Sequence, residues 1–161
     1  MYLEFSGKKV GSFGDIGAFS FYANKQVTSG EGGMLSMNSP KIYEKCKSLR
    51  NLCFGKLNRF NNTDLWWNYR MTNIKAALGL SQLKNIKHMV NKKMEIGSYY
   101  YKKLYQNSNI QILPPSNESS KNIYWVVGIV IKKNKITASK FAKKLAKYGI
   151  ETRPFFWPMH K

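Results

Sequence analysis

The stretch that most constrains this chain is Gly11 to Met34, GSFGDIGAFSFYANKQVTSGEGGM. An apolar, aromatic run from Ile16 to Ala23 has the length of a buried strand. Thr28-Ser29-Gly30-Glu31-Gly32-Gly33 follows, too rich in glycine for a helix or a regular strand. Lys25 lies between the two, on a short loop. A lysine in such a place is suited to attack an aldehyde once its amine is kept from water. Ser20, five residues upstream, and the glycine-flanked amides nearby suit a phosphate. The bland alternative is a solvated loop lysine, the ordinary state of most of the 27 Lys and Arg residues.

The neighbours of Lys25 shift that balance. Ser20-Phe21-x-x-Asn24-Lys25-x-x-Thr28-x-Gly30-Glu31-Gly32-Gly33 resembles the Schiff-base lysine segment of the PLP-dependent nucleotide-sugar aminotransferases of the DegT/DnrJ/StrS type, the perosamine-synthase-like group. The resemblance continues through Asn68-Tyr69-Arg70-Met71-Thr72-Asn73, Ala76-Ala77-x-Gly79 and Gln82-Leu83. It returns in Gly149-Ile150-Glu151-Thr152-Arg153-Pro154 and in Pro158-Met159-His160. These motifs keep the family's order over almost the whole chain, which a lone S-F-x-x-x-K would not.

The resemblance implies a fold-type-I, aspartate aminotransferase-like α/β protein. The chain would be an internal or C-terminal piece of it: residues 1–92 the end of the PLP-binding large domain, residues 93–161 most of the small domain. It implies an enzyme that moves an amino group from glutamate to a keto-sugar nucleotide, for surface polysaccharide, with pyridoxal 5'-phosphate as cofactor. Lys25 is then the catalytic residue, and Ser20, Lys25 and Asn68 bind the cofactor. Asn68 would reach the cofactor phosphate of the other subunit of a homodimer with shared active sites, as an uncharged donor. Arg153, Phe155 and His160 would form a sugar-nucleotide wall, where one cation and aromatic faces suit such a ligand. Ordinary packing is the alternative for the phenylalanines, and Arg70 divides evenly between a structural and a phosphate-side cation. Lys25 also argues against the related dehydratases, which replace this lysine. The family's acidic partner for the pyridine nitrogen is not carried over to Glu4, which lacks the Glu-Asp-x-Ala context. The piece alone is expected to be inactive. Two rival readings are a non-catalytic remnant of the same fold and a basic interaction module.

Composition bears on those rivals. A 43% hydrophobic content suffices for a core and opposes whole-chain disorder. The net charge of +19 invites a nucleic-acid reading, but the excess is nearly all lysine and is spread thinly. A solvated lysine-rich surface explains it more simply. No apolar run reaches the length of a membrane span, and MYLEFSGKKV lacks a signal-peptide core, so a cytoplasmic setting is expected. Cys46 and Cys53, seven apart, read as reduced packing residues of one helix, and no Cys/His cluster suggests a metal.

Along the rest of the chain, Met1 to Val10 reads as a lead-in turning at Gly7, and Gly32 to Asn38 as a strand. Ser39-Pro40 starts a helix bearing Ile42, Cys46 and Leu49 on one face. Phe54 to Thr63 reads as a loop and Asp64 to Tyr69 as an aromatic corner. Thr72 caps the longest helix, with Ala76, Gly79, Leu83, Ile86, Val90, Met94, Gly97, Tyr101 and Leu104 on one face; it is either one helix or two joined near Gly97. His88 falls off that face. Asn107 to Asn122 reads as a loop and Tyr124 to Ile131 as a buried strand. A helix capped by Thr137 and ended by Gly149, then a strand from Ile150 to Arg153, completes a β-α-β unit.

Overall fold

The computed structural model describes residues 3–55, 59–132 and 136–160. The first residues of the expected lead-in, Met1 and Tyr2, and part of the expected 54–63 loop, Lys56 to Asn58, lie outside them. The lead-in is a small hairpin, β1 (Glu4–Phe5) against β2 (Lys8–Lys9), turning through Gly7 at φ 74°. Strand β3 (Gly17–Ser20) then pairs antiparallel with β4 (Gly33–Ser36), Gly17 opposite Ser36 and Ser20 opposite Gly33. Both are shorter than the sequence suggests, and the segment between them carries Lys25.

Helix α1 (Pro40–Arg50) starts as its sequence dictates. Ser39 Oγ accepts the Ile42 N–H at 3.4 Å, Pro40 occupies the first turn, and Lys47 and Arg50 sit at the carbonyl end. Cys46 lies in α1, but Cys53 does not: the helix stops at Asn51, and Leu52 and Cys53 take φ 66° and 47°. The Cys53 N–H folds back onto Ser48 O at 2.9 Å, and the residue is 1% exposed. The two cysteines thus share the packing role expected of them, without sharing a helix.

The long helical region is two helices, α2 (Asn73–Lys84) and α3 (Ile86–Leu104). Thr72 caps α2 by accepting the Lys75 N–H. The break falls at Asn85, whose N–H reaches Gln82 O and Leu83 O, and α3 runs unbroken through Gly97. Gly97 answers a packing demand instead. A Cβ there would stand 2.1 Å from Tyr124 Cγ. Val90 and Gly97 are buried on the face read from the sequence, and His88 is exposed.

Strand β5 (Ile110–Ile112) pairs antiparallel with β6 (Ile129–Ile131), Ile110 opposite Ile131. The strand expected from Tyr124 begins only at Ile129. Asn122 Oδ1 accepts the Tyr124 N–H at 2.9 Å, and Tyr124 takes φ 47°, which a strand cannot contain. Helix α4 (Ala138–Ala146) is capped by Thr137 as expected. Among the described residues no strand follows it: Gly149 turns at φ 72° and the Ile150 N–H returns to Leu145 O at 3.1 Å. Residues 150–153 have no neighbouring strand to supply hydrogen bonds, so the expected β-α-β unit is not formed.

Five apolar side chains among the described residues are buried: Val27, Cys53, Val90, Ile112 and Tyr124. The accessible surface is 13386 Å². A compact monomer of this mass exposes roughly 8,200 Å² by the surface–mass relation. Part of the excess is on α2, where Ile74, Leu78, Leu80 and Leu83 are exposed. No helix among the described residues is long and apolar enough to cross a membrane.

The Gly97–Tyr124 contact gives a test of this packing. Gly97→Ala gains helix propensity worth about 0.5–1 kcal/mol but overpacks the ring by about 1–3 kcal/mol. We expect net destabilisation, read as a lower urea midpoint at unchanged slope. Gly55→Ala, outside the helices, gives the comparison for a change that leaves this contact alone.

Candidate functional site

Lys25 sits at the end of a turn that leaves β3. Its N–H donates to Tyr22 O at 3.0 Å, and two bonds close the loop behind it: Phe21 N–H to Gly32 O at 2.8 Å and Ser29 N–H to Phe21 O at 3.0 Å. Thr28 Oγ1 donates to Phe21 O at 3.2 Å and accepts the Gly30 N–H at 2.9 Å. Val27 and Ser29 are buried, which anchors the loop from inside. Its outer limb rests on the start of the α2 region. A Cβ on Gly32 would stand 2.9 Å from Met71 Cε, and one on Gly79 would stand 3.7 Å from Ser29 Cβ. The second distance is an ordinary van der Waals contact with a side chain, so the approach here does not depend on the glycine at 79.

The Lys25 side chain is half-buried, with Nζ 3.4 Å from the centroid of the Trp125 ring. The same indole donates from Nε1 to Asn24 O at 3.1 Å, and Phe156 stacks on it at 6.5 Å between centroids. Next to Lys25, Gln26 Nε2 is buried without a hydrogen-bond partner. That is an unusual arrangement for an amide, since buried donors are normally paired.

Ser20 ends β3 and is exposed; its Oγ accepts the Tyr22 N–H at 3.4 Å. Asn68 lies on a strap that runs back along the end of α1. Leu52 N–H bonds Trp67 O and Tyr69 N–H bonds Arg50 O, at 3.2 and 3.1 Å, so that Asn51 faces Asn68. Arg70 braces this strap through Nε to Asn68 Oδ1 at 3.0 Å and Nη1 to Asn51 Oδ1 at 3.4 Å. The Asn68 side chain is exposed, and its oxygen, not its NH2, makes these bonds.

Arg153, Phe155 and His160 are all exposed. Phe155 packs over Gly128, its Cζ 3.0 Å from where a Cβ would stand. Arg153 and His160 make no hydrogen bond, ion pair or ring contact with the described residues. Of the C-terminal aromatics, Phe156 is the one joined to the Lys25 loop, through Trp125. An open cleft of about 300 Å³ on α3, lined by Asn91, Glu95, Ser98 and Lys121 among others, involves none of these residues. Sequence reasoning missed Trp125 and Gln26. Trp125 stands a hundred positions from Lys25 inside an apolar run, and only the fold brings it there.

With this geometry in place, comparison with known proteins is decisive. The model of the DegT/DnrJ/EryC1/StrS aminotransferase family matches residues 1–161. The chain belongs to that family. It is 37% identical over 160 residues to the GDP-perosamine synthase of Escherichia coli O157:H7, covering 98% of this chain and 42% of that protein. Among solved structures it resembles Helicobacter pylori PseC, an aminotransferase involved in the biosynthesis of pseudoaminic acid. The TM-score is 0.85 at 29% identity, over 99% of this chain and 43% of that one. The fold also superposes on the aminotransferase TlmJ from Streptoalloteichus hindustanus, with a TM-score of 0.87 at 24% identity over 98% of this chain and 43% of TlmJ. The chain thus spans about 42% of the length of these curated relatives, the GDP-perosamine synthases of E. coli O157:H7 and Vibrio cholerae. As a family member it has the mixed α/β architecture of sugar aminotransferases over the part it covers.

The strap that carries Asn68 is fastened by an ion pair, Lys45 of α1 with Asp64. The ammonium of Lys45, and then the Leu65 N–H at 2.8 Å, hold the Asp64 carboxyl below its ordinary value of 3.8. Asp64 in turn holds Lys45 above 10.5. A depressed carboxyl contributes stability that is complete above 3.8 and lost as pH falls through its lower folded value. The raised ammonium contributes below 10.5 and is lost as pH rises beyond it. Both side chains are exposed, so the effect is local and small. In an NMR titration the Leu65 amide should move with a midpoint below 3.8, and Asp64→Asn should abolish that movement.

Proposed function

We propose that this chain is the lysine-bearing portion of a pyridoxal phosphate-dependent aminotransferase that passes an amino group from glutamate to a keto-sugar nucleotide. The observation that carries the reading is Lys25 on a closed turn at the end of β3, inside a motif set that matches the family from end to end. When bound, pyridoxal phosphate supplies an aldehyde that captures amines and a ring that absorbs the electrons released at a substrate carbon.

The chain's own residues then divide the work. Lys25 Nζ binds the cofactor covalently and, once freed, takes and returns the substrate proton. Ser20 Oγ donates to the phosphate, beside the amides of the glycine-rich loop. Asn68 serves the site of the other subunit in a homodimer. Its exposed side chain supports that role, and Arg70 is the brace that orients it. Arg153, Phe155 and His160 face outward, as a wall for an anionic sugar nucleotide requires. Residues 1–92 belong to the large domain and 93–161 to the small one, with α3 running across the junction as a rigid connector. The exposed apolar faces, α2 above all, are covered by the remainder of the protein and by the second subunit. The reaction is placed in the cytoplasm, where nucleotide sugars are the substrates of polysaccharide synthesis. Lys25 favours amino transfer over the dehydration carried out by structural relatives of the same fold, among them E. coli GDP-4-keto-6-deoxy-D-mannose-3-dehydratase.

Two experiments test this reading on protein expressed from the whole reading frame containing these residues. Borohydride reduction with the cofactor present, followed by peptide mapping, should place the pyridoxyl group on Lys25; labelling mainly elsewhere would sink the assignment. Mixing a Lys25→Ala protein with an Asn68→Ala protein should restore activity toward half of wild type per mixed dimer. In such a dimer one site holds both defects and the other neither. No recovery, with subunit exchange confirmed by native mass spectrometry, would place Asn68 in its own subunit's site.

A further inference from the structure

Lysine ammoniums stand over aromatic rings at several places, and the one at Lys25 differs in kind. Lys47 over Tyr43 in α1 and Lys103 over Tyr99 in α3 are each four-residue neighbours within a helix, at 5.5 and 5.6 Å. Such pairs meet through helical spacing alone. Lys25 sits 3.4 Å from the centroid of a ring far away in sequence, near the closest approach a cation and a ring allow. Its partner Trp125 makes a second contact on the same loop, the indole N–H to Asn24 O at 3.1 Å. Phe156 closes the stack at an interplanar angle of 14°. Trp125 is itself held from behind, because Tyr124 is buried against Gly97 and donates from its hydroxyl to Leu113 O at 3.1 Å.

We propose that Trp125 is a positioning residue for Lys25: its ring face receives the ammonium whenever the amine is not covalently engaged, while its indole N–H fixes the loop backbone at Asn24. The inference rests on the reading of Lys25 as the cofactor lysine. Its physical basis is that a freed lysine has four rotatable bonds and would otherwise sample many positions. A ring held in place returns Nζ to one point, and the same side chain ties that point to the C-terminal part of the chain. Phe156, stacked on the indole and itself exposed, links the C-terminal aromatics to Lys25 through one intervening ring.

The test needs no cofactor, so its failure is distinct from failure of the borohydride mapping. In cofactor-free protein expressed from the whole reading frame containing these residues, with labelled lysines, the Lys25 ε-methylene signal should lie upfield of the other lysines, as a ring current demands. Lys25→Arg identifies the signal. Trp125→Phe should keep most of the shift, because the face remains, and Trp125→Leu should lose it. Brief reductive methylation read by mass spectrometry should label Lys25 about two- to fivefold faster, relative to exposed Lys121, in Trp125→Leu than in wild type. That ratio corresponds to about 0.5–1 kcal/mol for the contact. If circular dichroism shows the Leu variant unfolded, the wild-type shift and the Phe variant decide the matter. A Lys25 signal among the surface lysines in wild type, or a shift that survives in a folded Trp125→Leu, would overturn the proposal.

Discussion

Much of this structure depends on how Tyr124 is held. Its backbone lies in the left-handed region, at φ 47°, which costs a bulky residue about 1–2 kcal/mol. Burying the ring against Gly97 offsets that cost, since a fully buried aromatic contributes about 1.5–3 kcal/mol. Burial also keeps the phenol above its ordinary value of 10.0, so the neutral hydroxyl donates to Leu113 O. One residue later the chain emerges with Trp125 directed at the Lys25 loop. The strained turn is what sends the indole there, where a continuous strand would have alternated it to a sheet face.

The lysine loop and the Asn68 strap are built on the same principle by different means. The loop is closed by backbone bonds between residues 21 and 32 and anchored by buried Val27 and Ser29. The strap is laid along the end of α1 by bonds from Leu52 and Tyr69, and fastened by Arg70 and Asp64. Each presents one polar side chain outward from a fixed backbone. Neither is embedded in a large core. The apolar surface left over, and the coverage of about 42% of the relatives' length, agree with a unit whose faces are shared with more protein.

A good deal of this was legible from the residues alone. The Lys25 motif, the caps at Ser39, Thr72 and Thr137, the Gly149 turn and the buried positions Val90 and Gly97 are local signals, set by hydrogen bonds or spacings within a few residues. Where the reading failed, a non-local term had intervened. Residues 124–128 have strand composition, but the Asn122 side chain and the Gly97 surface take Tyr124 out of the strand. Ile150 to Arg153 has strand composition too, but no neighbour to pair with. The sequence leaves open one helix or two joined near Gly97, whereas the break falls at Asn85 and Gly97 serves a packing contact.

By itself, then, the sequence determined the family, the place of Lys25 after a short strand, and the starts of three of the helices, because each of these is written in consecutive residues. Only the tertiary structure decided what surrounds Lys25. Trp125, Phe156 and the unpaired Gln26 amide acquire meaning from packing between segments that no sequence spacing relates. The reason is physical: a cap or turn is settled by bonds a few residues long, while a ring over an ammonium needs two distant backbones brought within 3.4 Å. That approach depends on the glycine at 97 and the left-handed turn at 124, neither of which announces its partner in the chain.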